Sequence, residues 1–291
     1  AASSLVLDAT TWSFDTFGED LLALRNDGTL YKWDLSVGTG TPAVVQSGAP
    51  TKSRFLIVSD NRHVLLFGTE TTIGNTTTQD NLFLRFSSQE DPSNWNPQLG
   101  NSAGTFRIQD GSKIIQAARS RGSILVWTDT ALHSLNNIGA PFVFGLNQIG
   151  SNCGAVSAHC AVDINGTSFW MSQTAFFMFD GAIKKIPCSV QDFVFDNIDS
   201  VSQQQVFSAV NTDFNEVTWF YPSSGSSVLD QSVTYNYAEQ VWTTNTGFIR
   251  TSWFDRGIYG FPYATDYTPN SKGTVGNIQN VPDGKAYLYQ H

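Results

Sequence analysis

The feature that most constrains the fold is a repeated pattern of a short apolar or aromatic run, a polar turn and another such run. The turns carry Asp, Asn, Gly, Ser or Thr, and the flanking runs are rich in β-branched and aromatic residues, which is the composition of β-hairpins. The turn centres are Asp27-Gly28, Asp60-Asn61, Asp129-Thr130, Gln173-Thr174, Asp213 and Glu239. The pattern therefore predicts six hairpins, and we expect Asp27-Gly28 and Asp180-Gly181 to be two-residue bends in which glycine supplies a positive φ.

The spacing of the turns indicates how the hairpins are organised. As far as Asp213, most lie near forty residues apart, except for one gap, between Asp60 and Asp129, that is wide enough for an extra unit. One four-stranded propeller blade takes about 40–45 residues. We therefore predict an all-β chain in which residues 1–291 form a single β-propeller-like domain of antiparallel sheets, with about six blades (five to seven). A pair of β-sandwiches is the alternative architecture. Since no stretch has the helical period, we expect less than about a tenth of the chain to be helical.

Two stretches, Asn81–Asn101 and Tyr263–Gly284, look like long irregular connections. The first surrounds Trp95 and is predicted to fold over an aromatic plug, and the second is predicted to be a surface excursion. Neither is needed for blade packing, so both are candidate contacts with neighbouring molecules.

The net charge and the scattered basic residues argue against a protein that binds nucleic acid through its phosphates. Charged residues make up 14% of the chain, the net charge is −9, and the close pairs of bases are Arg119/Arg121 and Lys184/Lys185. A protein that binds DNA by releasing counterions needs clustered Lys and Arg. An acidic wall would let DNA pass without sticking, but ordinary solubility explains the same charge.

The residues that could carry chemistry do not assemble into a known motif. The four histidines lack metal-ligand spacing, and Asp129 is expected to cap its own hairpin turn rather than to serve His133 and Ser134. Glu216, inside an aromatic strand, is the most interesting carboxylate, and we interpret it as a structural anchor held by hydrogen bonds or by Arg250. We predict no catalytic residue, no cofactor and no metal, and thus not an enzyme.

The three cysteines are expected to be small buried hydrophobes. Their spacing does not match a zinc site, and a Cys153–Cys160 bridge is the alternative. No apolar run approaches the ~20 residues of a membrane span. The chain starts without Met and ends on a strand-like run, so we expect an excerpt of a longer polypeptide.

Several short motifs resemble a family of bacteriophage virion proteins, in order and spacing. The resemblance covers about residues 12–260 and is most specific in 120–255. The motifs are Val126-Trp127-Thr128-Asp129, Asn152-Cys153-Gly154, Phe179-Asp180-Gly181, Ile186-Pro187-Cys188, Phe214-Asn215-Glu216, Trp219-Phe220-Tyr221-Pro222-Ser223, Tyr235-Asn236-Tyr237, Trp242 and Arg250-Thr251. The chain is similar to the propeller-bearing tail nozzle or tail-hub proteins of short-tailed phages.

The resemblance implies a structural role. It implies a non-enzymatic subunit of a nozzle or hub ring, a homo-oligomer of six copies, which forms part of the DNA conduit and its closure during DNA ejection. The partners implied are other copies of the chain, neighbouring tail, adaptor and fibre proteins, and genomic DNA that passes without sequence-specific binding. The location implied is the virion tail, assembled in the host cytoplasm. The signature residues are Trp127, Asp129, Gly154, Asp180, Gly181, Glu216, Trp219, Tyr221, Trp242 and Arg250.

One departure and two rival classes accompany this interpretation. In the family, a strand like Leu288-Tyr289-Gln290-His291 precedes Glu-x-Gly and a further C-terminal β-domain, which this chain lacks. A carbohydrate-binding, lectin-like propeller or receptor-binding tail module would expose aromatic side chains on one face. A glycosidase would need two carboxylates about 5–10 Å apart.

Overall fold

The computed structural model describes residues 10–248, 250–255, 260–267 and 286–290. The chain forms two compact units, one containing Thr10–Ala155 with Asn165–Thr167, and the other Val156–Ile164 with the chain from Ser168 on. Strands make up 48% and helices 6% of the structure, so the prediction of an all-β chain with little helix is confirmed.

The first unit contains three four-stranded antiparallel sheets, each with its strands in chain order. The first sheet is formed by β1 (Trp12–Phe17), β2 (Asp20–Arg25), β3 (Leu30–Trp33) and β4 (Val44–Val45). The second is formed by β5 (Phe55–Val58), β6 (Val64–Phe67), β7 (Phe83–Phe86) and β8 (Gly104–Arg107). The third is formed by β9 (Ile114–Ser120), β10 (Ser123–Thr128), β11 (Ala131–Gly139) and β12 (Val143–Ser151). Two short 3-10 helices lie at Leu35–Val37 and Thr76–Thr78.

The second unit continues the same pattern, with two four-stranded sheets and one sheet of three described strands. The fourth sheet is formed by β13 (Ala161–Ile164), β14 (Thr167–Met171), β15 (Phe176–Phe179) and β16 (Ile183–Lys185). The fifth is formed by β17 (Phe207–Asn211), β18 (Glu216–Tyr221), β19 (Gln231–Asn236) and β20 (Val241–Thr246). The sixth is formed by β21 (Ser252–Phe254), β22 (Tyr263–Tyr267) and β23 (Ala286–Gln290). Helix α1 (Gln191–Phe195) and a 3-10 helix at Gln203–Gln205 precede the fifth sheet.

All six predicted hairpins are present, at β2–β3, β5–β6, β10–β11, β14–β15, β17–β18 and β19–β20. Six small antiparallel sheets in chain order are compatible with a propeller-like fold.

Both Asp-Gly bends differ from the predicted two-residue turn. In the first, Leu24 pairs with Leu30 and the positive φ of 55° falls on Asp27. The loop is longer because the backbone of Gly28 pairs instead with Ser53. In the second, Phe179 pairs with Ile183, and Gly181 takes a φ of 114° within the loop of Asp180, Gly181 and Ala182.

The wide gap between the turns at Asp60 and Asp129 contains no extra sheet. The first turn joins strands one and two of its sheet, whereas the second joins strands two and three, and an irregular loop between β7 and β8 adds the remaining length. The prediction that Asn81–Asn101 is irregular throughout is therefore wrong, because it contains β7. Tyr263–Gly284 likewise begins with β22, and its residues from 268 on lie outside the described ones.

Each unit has its own buried core. In the first unit, one cluster lies between the first two sheets and includes Trp95, which confirms the aromatic plug, and another lies between the second and third sheets around Phe86 and Phe144. In the second unit, Phe207 and Phe220 pack with Phe248 and Trp253. None of the three cysteines forms a disulfide, and two of them are buried, so the bridge between Cys153 and Cys160 is not formed. Among the described residues, no helix combines the length and apolar character needed to cross a bilayer.

Within each unit, neighbouring sheets contact one another through their first strands, as propeller blades do. In the first unit, Ser13 of β1 accepts a hydrogen bond from the Leu56 amide at 3.1 Å, and Asp15 accepts one from the Val58 amide at 2.7 Å. In the second unit, the amide of Ser208 donates to the His159 carbonyl at 2.8 Å. Side chains and loops of one sheet thus satisfy the exposed strand edge of the next.

Candidate functional site

Three signature residues of the first unit lie together where β10 turns into β11. Trp127 is fully buried, and Asp129 occupies the two-residue turn after β10. A Cβ added to Gly154 would lie 2.2 Å from the Asp129 carbonyl, so only glycine fits at this backbone crossing. The arrangement is a packing device.

The sequence predicted that Asp129 caps its own turn, but its carboxylate mainly binds a residue outside the turn. Its Oδ1 accepts a hydrogen bond from the Ser112 amide at 2.8 Å, and its Oδ2 accepts one from the Ser112 hydroxyl at 2.5 Å. Burial raises the pKa of this carboxyl, but the hydrogen bonds from Ser112 and Lys113 outweigh burial and hold the pKa below its usual value. The aspartate therefore anchors the loop before β9, and local turn chemistry gave no signal of this distant partner.

The signature tryptophans of the second unit also lie together. The ring of Phe176 lies 4.8 Å from Trp219 and 4.7 Å from Trp242, measured between ring centroids. The indole of Trp219 donates to the Cys160 carbonyl, and that of Trp242 donates to the Pro187 carbonyl, both at 2.8 Å. These two side chains therefore join β18 and β20 of the fifth sheet to segments that flank the fourth.

Tyr221 lies at the end of β18 and is fully buried. Burial, together with the nearby Asp230 carboxylate, raises the pKa of Tyr221 to about 12. The phenol thus stays protonated at neutral pH, and it lacks the lowered pKa of a tyrosine that acts as a base.

The remaining signature residues do not join these clusters. Asp180 forms an exposed ion pair with Lys184 at 2.6 Å, and this hydrogen bond lowers the pKa of Asp180. Arg250 is buried with its guanidinium 4.4 Å from the centre of the Phe248 ring. Glu216 begins β18 rather than lying in its middle, and it is only partly buried. Burial raises the pKa of Glu216, and part exposure lets water solvate its carboxylate without a partner such as Arg250.

Sequence reasoning missed two charged groups that join separate segments of the first unit. Arg119 of β9 donates to Asp15 of β1 at 2.8 and 3.1 Å, and also to the carbonyl of Val58 in β5. Arg85 is buried in β7 and donates to backbone carbonyls, near the buried carboxylate of Glu70. Periodicity gave no signal for either group. Arg85 interrupts an otherwise apolar strand, and Arg119 looks like an ordinary surface charge.

A cavity of about 160 Å³ lies at the ends of the second and third sheets. Its floor includes Ile124, Leu135 and Phe144, and Asp60 and Asn137 are among its polar lining residues. An apolar floor with a few polar groups can bind a small ligand. Among the described residues, no group of His, Cys, Asp and Glu is arranged to hold a metal ion.

Two histidines of the first unit are buried. The Nδ1 atom of His63 lies 2.8 Å from the carbonyl oxygen of Ser87, and Phe86 and Phe144 pack against the ring edge-on. Burial lowers the pKa of His63 despite the Ser87 hydrogen bond, and burial also lowers the pKa of His133 despite the nearby Asp110.

These lowered pKa values predict that stability falls on mild acidification. The unfolded state, with histidine pKa values near 6.5, takes up protons before the folded state does, so the contribution is present above about pH 6.5 and is lost as the pH falls. We expect urea unfolding midpoints to drop between about pH 7.5 and pH 6. The variant His63→Gln, which cannot titrate, will show a smaller drop. An equal drop in the variant would contradict this role.

Comparisons with known proteins concern the fold. No protein-family model matches the chain, and no curated protein sequence matches it. A chain in a crystal structure of the mitotic checkpoint complex aligns over 91% of this chain and 72% of its own, at 12% identity and a TM-score of 0.55. The computationally designed protein Ika8 aligns over 88% of this chain and 67% of its own, at 11% identity and a TM-score of 0.52.

A third similar structure comes from a larger protein. The extracellular domain of a one-component system from B. thetaiotaomicron aligns over 88% of this chain at 11% identity and a TM-score of 0.54, and this chain spans 30% of that chain's length. At such identities the likeness concerns the fold alone. It is compatible with a propeller-like arrangement of antiparallel sheets.

Proposed function

We propose that this chain is a structural virion protein, a subunit of the nozzle or hub ring at the tail of a short-tailed phage. Its six sheets would be the blades of one propeller-like domain. The observation that supports the proposal most is the position of the signature residues, because Trp127 is fully buried, Gly154 lies at a close backbone crossing, and Trp219 and Trp242 join backbone segments by hydrogen bonds. A family signature made of packing residues is typical of a protein selected for rigid shape rather than for chemistry.

The electrostatics fit a conduit through which DNA moves. The chain has a net charge of −9, and several of its arginines are committed to internal contacts, as Arg85, Arg119 and Arg250 are. An arginine held by carbonyls or carboxylates has fewer donors left for phosphate. DNA would therefore meet a surface that does not retain it.

The loop between β7 and β8 is the natural contact with a neighbouring subunit or ring. Buried Trp95 anchors it, while Leu99 extends fully into solvent. Adaptor, fibre and further nozzle subunits are the proposed partners, and assembly would take place in the host cytoplasm.

The test combines native mass measurement of the purified chain, imaging of virions, and duplex DNA binding at ~150 mM salt. We expect a closed ring, with six copies as the proposed number, located on the tail, together with DNA affinity weaker than micromolar. A monomer that is absent from the particle, or submicromolar DNA binding, would overturn the proposal.

A carbohydrate-binding module is the second candidate, and the cavity beside Phe144 favours it specifically. Carboxylate and amide groups such as those of Asp60 and Asn137 can bind the hydroxyl groups of a sugar whose apolar face lies on the cavity floor. Glycan binding by a monomeric chain would favour this class over the ring subunit.

A further inference from the structure

The hairpin of β11 and β12 extends beyond the sheet to which it belongs. Each of its strands has nine residues. The neighbouring strand β10 starts at Ser123, which pairs with Asn136. The pairs Asn137–Phe144 and Gly139–Val143 lie past that point, so the end of the hairpin is a two-stranded extension without a third strand beside it.

The tip of this hairpin is apolar and exposed. Phe142 is 73% exposed and Ile138 is 56% exposed, and the residues between them include Ala140 and Pro141. A single exposed apolar side chain needs no explanation, but here two large ones lie within five residues, on either side of an apolar turn.

The hairpin itself contains no formally charged residue, although Asp60 and Arg119 line the cavity beside its Asn137. No Asp, Glu, Lys or Arg occurs between Asp129 and Asp163, although at the chain's average of 14% such a stretch would hold about four or five. Behind the tip, the exposed side chains of the hairpin are amides, such as Asn137, Asn147 and Gln148. Uncharged polar groups therefore border an apolar end.

This combination favours a lipid surface over a protein partner. Protein interfaces have an apolar centre and a polar rim in which charges are tolerated and often help choose the partner. A segment that enters the headgroup and upper acyl region meets a large penalty for each charge but little for an amide at headgroup depth. The absence of charge along the entire hairpin is what the lipid surface requires and the protein interface does not.

We propose that the tip between Ile138 and Phe142 inserts into the interface of a zwitterionic lipid bilayer. The inserted groups would be the side chains of Ile138, Pro141 and Phe142, with the amides of the hairpin at the headgroups. A net charge of −9 makes anionic membranes unfavourable, so phosphatidylcholine is the appropriate surface. The inference goes beyond the proposed ring subunit and does not depend on it, since it concerns one hairpin of one copy.

The test is capture of fluorescent phosphatidylcholine vesicles by the full chain displayed densely on beads. Dense display is needed because one tip with two large side chains binds a vesicle weakly, whereas many tips together bind it with higher avidity. We expect Phe142→Asp to lower the captured lipid at least about tenfold. The matched control is Phe214→Asp, at the β17–β18 turn, because Phe214 is 64% exposed yet lies outside the uncharged hairpin. The control should capture as much lipid as the wild type.

Three results would overturn the inference. They are no capture by the wild type, equal capture by Phe142→Asp, or an equal loss in Phe214→Asp. Native mass, measured in parallel, tests the alternative that the tip binds a second copy of the chain. If Phe142→Asp changes the oligomeric state and leaves vesicle capture intact, the tip is a protein contact. Circular dichroism confirms that both variants are folded.

Discussion

Replacing Arg85 with methionine is expected to lower the free energy of unfolding by about 3–5 kcal/mol, because it removes a buried guanidinium that donates to three backbone carbonyls and lies near the buried carboxylate of Glu70. Arg85 is 4% exposed and donates to the carbonyls of Trp95 at 3.1 Å and Thr71 at 2.8 Å. Its nearby counter-charge, Glu70, is fully buried and accepts hydrogen bonds from Thr51 and Gly74. Without the guanidinium, the buried Glu70 carboxylate would keep its hydrogen bonds but lose a nearby positive charge, and the carbonyls of Trp95, Glu70 and Thr71 would each lose a donor.

The effect of Arg85→Met is measured by urea unfolding and hydrogen exchange. Since Arg85 holds the Trp95 carbonyl, exchange should accelerate first in residues 87–103, before the sheets themselves are affected. The matched control is Arg107→Met on the adjacent strand β8, whose ion pair with Asp80 at 2.7 Å is solvent-exposed and is expected to contribute about 0–1 kcal/mol. Similar losses in the two variants would show that burial of Arg85 does not set its contribution.

The strands could be predicted because their signal is local. The turn at Gln173-Thr174 is an example, since Met171 pairs with Phe176 and the Ser172 amide donates to the Ala175 carbonyl at 2.8 Å, as alternating apolar runs around a polar pair predict. The failures have a common cause in contacts between distant segments. Gly28 opens its turn to pair with Ser53, and β7 was hidden because Arg85 interrupts its apolar pattern.

The signature residues show the same division. The resemblance selected them as candidates, but it did not indicate what each one contacts. Asp129 binds Ser112, and Trp219 binds the Cys160 carbonyl, partners that no periodicity or spacing rule connects. The contact between Asp15 and Arg119 spans three first strands and was missed entirely, because each residue alone looks like an ordinary surface charge. Partners distant in sequence can be identified only once the sheets are placed.

Replacing Trp219 with alanine is expected to cost about 3–5 kcal/mol of stability in the second unit, through loss of a large buried side chain and its hydrogen bond. Trp219 is fully buried, packs 4.8 Å from Phe176, and joins β18 to the segment before β13 through its 2.8 Å bond to the Cys160 carbonyl. Trp219→Phe keeps most of the apolar contact but cannot donate, so we expect a smaller loss of about 1–3 kcal/mol. The control is Trp12→Ala, since Trp12 is 43% exposed and its removal opens no sealed cavity. Urea unfolding of the three variants checks the order. If Trp219→Ala costs no more than Trp12→Ala, Trp219 does not stabilise the fold by packing, and the proposal of a rigid structural subunit loses its main support.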